Sequence, residues 1–248
     1  MTRITQDFGV QSYCFRSIKD NNDVAEAVKK IGLGKIEICG VHCSFGDTAA
    51  HQQVIDTYQN AGVAIQSIGV EGMGPDEAEN RKRFDFAKAA GLKHMSINFN
   101  PDSFDQAHPI VQKLAEEYDI RCGIHNHGGY HWLGSDQALR YVFSKVGDRI
   151  GVCMDTAWAL SARQDPVKWV HAFKDRLFAV HMKDFVFESP TGKHQDVVVG
   201  TGNLDLPALA KACEDVGFDG QAILEYEGDV DNPIPSLTRC VEAIRAVG

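Results

Sequence analysis

Four stretches of this chain end an apolar run in side chains that bind protons or metal ions: Ile124-His125-Asn126-His127, Val152-Cys153-Met154-Asp155-Thr156, Val180-His181-Met182-Lys183-Asp184 and Leu224-Glu225-Tyr226-Glu227. Imidazoles and carboxylates gathered on neighbouring strands would repel one another or stay unsatisfied without a shared partner, and a divalent cation is the simplest partner. A mixed nitrogen and oxygen donor set with no thiolate suits one manganese ion, with magnesium, cobalt and zinc as competitors. Asp155 and His181 each close a different apolar run and would point at one axis. Glu225 is preferred to Glu227 because it directly follows Ala222-Ile223-Leu224 and stays inside the mouth that such strands would form.

Other side chains near these ends have two readings each. Lys183 follows His181 closely and reads as a holder of a substrate oxygen or carboxylate, or as a solvated loop lysine. Asp184 reads as an acceptor that orients a ligand or Lys183. Trp132 and Trp158 lie just beyond the fifth and sixth apolar runs, where a flat face could cover a sugar ring or simply pack under a loop. Glu37, in Lys35-Ile36-Glu37-Ile38, is a buried substrate contact or the anchor of an ion pair, and Glu71 is a weaker candidate of the same kind. Gly200-Thr201-Gly202 lacks the strand and helix setting of a nucleotide loop, and no G-x-S-x-G elbow is present, so phosphate cradling and serine hydrolysis are not expected.

These candidates need a scaffold that brings strand ends together. The chain repeats one phrase, a helical stretch, a Gly-containing turn and a short β-branched run: VKKIGLGKIEI, QNAGVAIQSIGV, KAAGLKHMSINF, AEEYDIRCGI, SKVGDRIGVCM, FKDRLFAVHM and EDVGFDGQAILEY. With the opening FGVQSYCF this makes eight candidate strands separated by crossover helices, which predicts an α/β protein with a single (β/α)8 TIM barrel over residues 1–248. In that fold the site lies at the carboxyl ends of the strands, where the candidates fall. Gly32, Gly62, Gly91 and Gly217 mark helix ends, and Asp76, Asp165-Pro166 and Asp205 mark helix starts. Residues 184–206 read as an extended loop or small hairpin after the seventh strand.

The bulk properties agree with a globular enzyme. The 248 residues are 44% hydrophobic and 24% charged, with a formal net charge of −9 that argues against a general nucleic-acid binder. The seven cysteines show no C-x-x-C spacing, and Cys39, Cys122 and Cys153 sit in apolar runs as small hydrophobes, pointing to a reducing compartment. No signal sequence or membrane span is read, so the expectation is a cytoplasmic protein.

GVCMDTAW, VHMKDF, VVVGTGNLDLPAL and AILEYEGD together resemble the sugar phosphate isomerase/epimerase superfamily, the xylose isomerase-like barrels that include inosose dehydratases and the endonuclease IV type of repair enzyme. The resemblance covers nearly the whole chain. It implies that Asp155, His181 and Glu225 are metal ligands, with His125 where many relatives carry a fourth, glutamate ligand; His127 and His131 are the alternatives for that ligand or for proton transfer. It implies a small carbohydrate substrate, a metal-dependent enolisation in which Glu225, His127 or Lys183 removes the proton, and a dimer or tetramer. Reprotonation of the enediolate makes an isomerase or epimerase, whereas loss of a β-leaving group makes a lyase of the inosose dehydratase type. The H-N-H fifth strand is similar to the dehydratase branch, and Trp158 replaces the histidine of a common Asp-Thr-x-His pattern, which implies a substrate with an apolar face. A DNA phosphodiesterase is opposed by the charge and by the modest ligand count, and a non-catalytic sugar-binding subunit would purify without metal.

Overall fold

The computed structural model describes residues 3–188 and 193–248, in which the eight apolar runs stand side by side as parallel strands wrapped by helices. Strand β1 (Gly9–Gln11) leads to α1 (Asn21–Lys30), β2 (Lys35–Ile38) to α2 (His51–Asn60), and β3 (Ala64–Ile68) with β4 (Glu71–Met73) to α3 (Glu77–Ala89). Next come β5 (His94–Phe99), α4 (Phe104–Tyr118), β6 (Arg121–His125), α5 (Asp136–Phe143), β7 (Ile150–Asp155), α6 (Thr156–Ser161) and α7 (Pro166–Ala172). The chain closes with β8 (Leu177–Met182), an antiparallel hairpin of β9 (Phe185–Phe187) and β10 (His194–Asp196), then α8 (Leu206–Asp215), β11 (Gln221–Leu224) and α9 (Ile234–Arg245).

The ladder runs β3-β2-β1-β11-β8-β7-β6-β5-β4. Its two ends, β3 and β4, are halves of one stretch, broken at Gly69-Val70: the first half pairs with β2 and the second with β5, so the sheet returns on itself as a barrel. The sequence pattern predicts one strand here. The break falls at a glycine pressed against β5: a Cβ at Gly69 would lie 2.5 Å from Ser96 Cβ and 2.6 Å from Ser96 O, and glycine suits its φ of 152°.

All six residues of β7 and of β8 are buried, as expected for strands covered on both faces. Alternation along β7 turns Cys153 and Asp155 inward, and Ser96 Oγ on β5 meets Cys153 Sγ at 3.3 Å. The inside of the barrel is therefore partly polar: Gln11, Glu37, Ser67, His94, Ser96 and His181 are all buried within it.

The helix signals hold. Asp76, Asp165 and Asp205 cap α3, α7 and α8, each carboxylate accepting first-turn amides, and Gly32, Gly62, Gly91 and Gly217 all have positive φ. Residues 184–206 contain the hairpin. Among the described residues every cysteine is free and buried, and no helix is long and apolar enough to cross a membrane.

Candidate metal centre

Register sets the site. Asp155 at the end of β7 stands opposite His181 of β8, whose neighbour on the other side is Ile223, two residues before Glu225. His125 at the end of β6 stands opposite Cys153. One donor atom from each of His125, Asp155, His181 and Glu225 lies within 4.8 Å of all the others, and all four residues are buried. His125 Nε2 is 3.2 Å from His181 Nδ1, 3.6 Å from Asp155 Oδ2 and 3.7 Å from Glu225 Oε2. His181 Nδ1 is 2.5 Å from Glu225 Oε2. Donors bound to a shared ion at about 2.1 Å would stand roughly 3 to 3.5 Å apart, so the cluster needs little movement to hold one.

The charges point the same way. Burial pushes the Asp155 carboxyl up to about 6, with Lys183 opposing and Glu225 adding to the shift. Asp155 Oδ1 accepts the Trp158 amide at 2.8 Å and caps α6, but Oδ2 is buried without a hydrogen-bonding partner. Such an oxygen aimed at three other donors fits a cation. Burial would raise Glu225 too, but Lys183, His125 and His181 hold it well below the usual carboxylate range.

The frame around the donors comes from the intervening residues of the same motifs. Asn126 clamps β6 to β7: its amide nitrogen donates to Asp155 O at 3.0 Å and its oxygen accepts Asp155 N at 2.8 Å. Thr156 Oγ1 donates to Lys183 O at 2.6 Å and accepts Lys183 N at 3.0 Å, clamping β7 to the end of β8.

The candidate substrate contacts have protein partners of their own. Glu37 is fully buried, with Oε1 accepting Gln11 Nε2 at 2.5 Å and Oε2 accepting Ser96 Oγ at 2.9 Å, and it meets His181 Nε2 at 3.1 Å. It offers nothing to a substrate. Trp132 packs edge-on against Phe104 and donates its indole N–H to Phe99 O at 2.9 Å, under a loop and outside the mouth. Lys183 is 1% exposed, ion-paired with Glu227 and 3.4 Å from Glu225 Oε1. Burial alone would lower its pKa, but Glu225, Asp155 and Glu227 raise it above that of an ordinary lysine. Asp184 does not orient Lys183; it accepts the amides of Gly200, Gly202, Asn203 and Leu204 at 2.8–3.0 Å. Glu71 pairs with Arg83 at 2.8 Å.

His127 and Trp158 do line the mouth, with Glu225, Glu227 and His125, around a cavity of about 480 Å³. The His127 ring is 4.8 Å from that of His125, and burial, with His125 and His131 nearby, pulls its pKa down to about 3. His131 lies one ring further out, 5.0 Å from His127, and accepts the Leu133 amide; it is not in the donor cluster. The cavity also takes in Gln11, Tyr13 and Val41, which the sequence reading passed over. Gln11 carried a signal, since it is a polar residue ending the first apolar run.

Fold and cluster together define an α/β barrel with a buried centre of two imidazoles and two carboxylates at the carboxyl ends of its strands. The model of the xylose isomerase-like TIM barrel family matches residues 15–246, and the chain belongs to that family. It is 22% identical over 148 residues to an inosose dehydratase of Lacticaseibacillus casei, covering 53% of this chain and 50% of the relative, and so spans about half the length of that protein. It is 21% identical over 196 residues to a 3-oxo-isoapionate decarboxylase of Pectobacterium atrosepticum, covering 74% of this chain and 69% of the relative. The crystal structure of a D-allulose 3-epimerase from Methylomonas sp. in complex with D-allulose superposes with a TM-score of 0.77 at 15% identity, covering 98% of this chain and 97% of that one, a likeness of fold.

Proposed function

We propose that this chain is a divalent-metal-dependent enzyme that enolises an uncharged keto-sugar, with isomerisation or epimerisation as the outcome. The observation that carries the reading is the convergence of His125 Nε2, Asp155 Oδ2, His181 Nδ1 and Glu225 Oε2, with Asp155 Oδ2 buried and otherwise unpartnered. His125, Asp155, His181 and Glu225 would hold a divalent ion, manganese by the chemistry of the donors, which would supply Lewis-acid stabilisation of the negative charge that develops on the substrate oxygen. Glu225 Oε1 points away from the cluster toward Lys183 and is the oxygen left to take the substrate proton, while Lys183 keeps that carboxylate ionised beforehand. His127, neutral and on another wall of the mouth, is the group placed to handle a proton on the far side.

The substrate class follows from the cavity wall. Its volume suits a monosaccharide, Trp158 offers a flat face, and among the described residues no lysine or arginine lines it.

A second reading, a sugar dehydratase, is favoured by His125. An imidazole occupies the strand end where a second carboxylate would complete an acid/base pair, which leaves Glu225 as base and Glu227 as a wall acid. Burial raises Glu227, with the ion pair to Lys183 opposing the shift, and the group lies on the cavity wall within reach of a departing hydroxyl.

The test is elemental analysis of the wild type and Asp155→Ala, paired with deuterium uptake from heavy water into a panel of keto-sugars and inososes. One equivalent of metal lost in the variant, with exchange in a neutral substrate that follows metal content, is the expected result. Exchange into recovered or isomerised sugar identifies the first reading, and a dehydrated product the second. Absence of both metal and exchange overturns the catalytic reading.

A further inference from the structure

We propose that Glu37 is the positioning residue of the metal centre: its carboxylate holds the His181 ring so that Nδ1 is the coordinating nitrogen and Nε2 carries the proton. The inference rests on the metal reading above. Strand β2 contributes no donor to the cluster, yet it buries a carboxylate beneath it at 0% exposure. Leucine or glutamine would fill that volume without the several kcal/mol needed to desolvate a charge.

Three strands fix this carboxylate. Gln11 on β1 donates to Oε1 and is itself oriented by a bond to Gly69 O at 3.0 Å, while Ser96 on β5 donates to Oε2. The remaining direction of Oε1 faces His181 Nε2 at 3.1 Å. Nε2 has no hydrogen-bonding partner as it stands, and at this distance a small ring rotation would make Glu37 Oε1 its acceptor. The opposite nitrogen, Nδ1, is the one among the donors, 2.5 Å from Glu225 Oε2 and 3.2 Å from His125 Nε2. A ring flipped about its bond to Cβ would put carbon where the ion binds. A carboxylate on Nε2–H opposes that flip, fixes the tautomer and makes Nδ1 a stronger donor.

The test uses the full chain with Zn²⁺, which is diamagnetic. Long-range proton–nitrogen spectra of ¹⁵N-histidine protein loaded with Zn²⁺ are expected to show His181 protonated at Nε2 and metal-shifted at Nδ1. Zn²⁺ affinity, read by competition with a chromogenic chelator, is expected to fall about 10- to 100-fold in Glu37→Gln with stoichiometry unchanged. Ser96→Ala, which removes one bond to the carboxylate, should shift affinity the same way by less, and it serves if Glu37→Gln fails to fold. Protonated Nδ1 in the loaded wild type overturns the proposal, as does unchanged affinity in both variants with only a lowered melting temperature. Wild type that takes up no Zn²⁺ removes the metal reading itself, and that outcome is seen before any variant is made.

Discussion

His94, the first residue of β5, lies inside the barrel at 3% exposure, with Nδ1 3.1 Å from Ser67 Oγ and Nε2 without a partner. Burial, opposed by Glu37 and aided by smaller effects from His181 and Arg121, pulls its pKa down to about 4. The folded protein thus keeps it neutral where the unfolded chain, near 6.5, takes up a proton. The stabilisation is complete above pH 6.5 and is lost as pH falls toward 4, on the order of 3 kcal/mol across that window. Urea unfolding of His94→Gln should show a flatter loss of stability between pH 7 and pH 4.5 than wild type; parallel curves would mean that His94 is protonated in the fold. The donor residues themselves were readable because each ends an apolar run on its own strand. Glu37 was not assignable in the same way, because its partners Gln11, Ser96 and His181 lie on three other strands and meet it only once the barrel closes.

Between β8 and α8, one side chain organises a whole segment. Asp184 is buried and accepts four amides from residues 200–204, and a Cβ at Gly202 would stand 2.6 Å from its Oδ1, so the loop wraps the carboxylate closely. Asp184→Ala leaves four amides without their charged acceptor, and we expect a loss of about 3 kcal/mol in urea unfolding together with faster proteolysis between residues 197 and 205. Asp184→Asn, which keeps one oxygen, should recover part of both; a variant as protease-resistant as wild type would place the loop's stability elsewhere. The glycine-rich phrase was legible as an irregular segment and as no phosphate loop, but the use of its amides was not, since the acceptor comes from just after β8. Trp132 and Trp158 make the same point. Both follow strand ends in sequence, yet α6 begins directly after Asp155 and carries Trp158 over the mouth, whereas the longer path after β6 lets Trp132 turn back onto Phe99 and Phe104.

The barrel as a whole is closed at Gly69, and the same point ties closure to the centre. The ladder passes from β2 to β5 through the broken stretch β3-β4, and Ser96, against which Gly69 packs, is the residue that holds Glu37 Oε2. Gly69 O also accepts Gln11 Nε2, the other donor to Glu37. A methyl group at Gly69 must push β5 outward or distort a backbone at φ 152°, with an expected cost of about 3 kcal/mol. For a chain of this size that is a fall in melting temperature of roughly 6 to 12 °C. If closure and metal binding share this seam, Gly69→Ala should also weaken Zn²⁺ binding, because displacement of Ser96 and Gln11 releases the carboxylate behind His181. Loss of stability with unchanged Zn²⁺ affinity would show instead that β2 and β8 hold the centre rigidly enough to ignore the seam, and would move the control of His181 from the barrel's closure to its local strand pair.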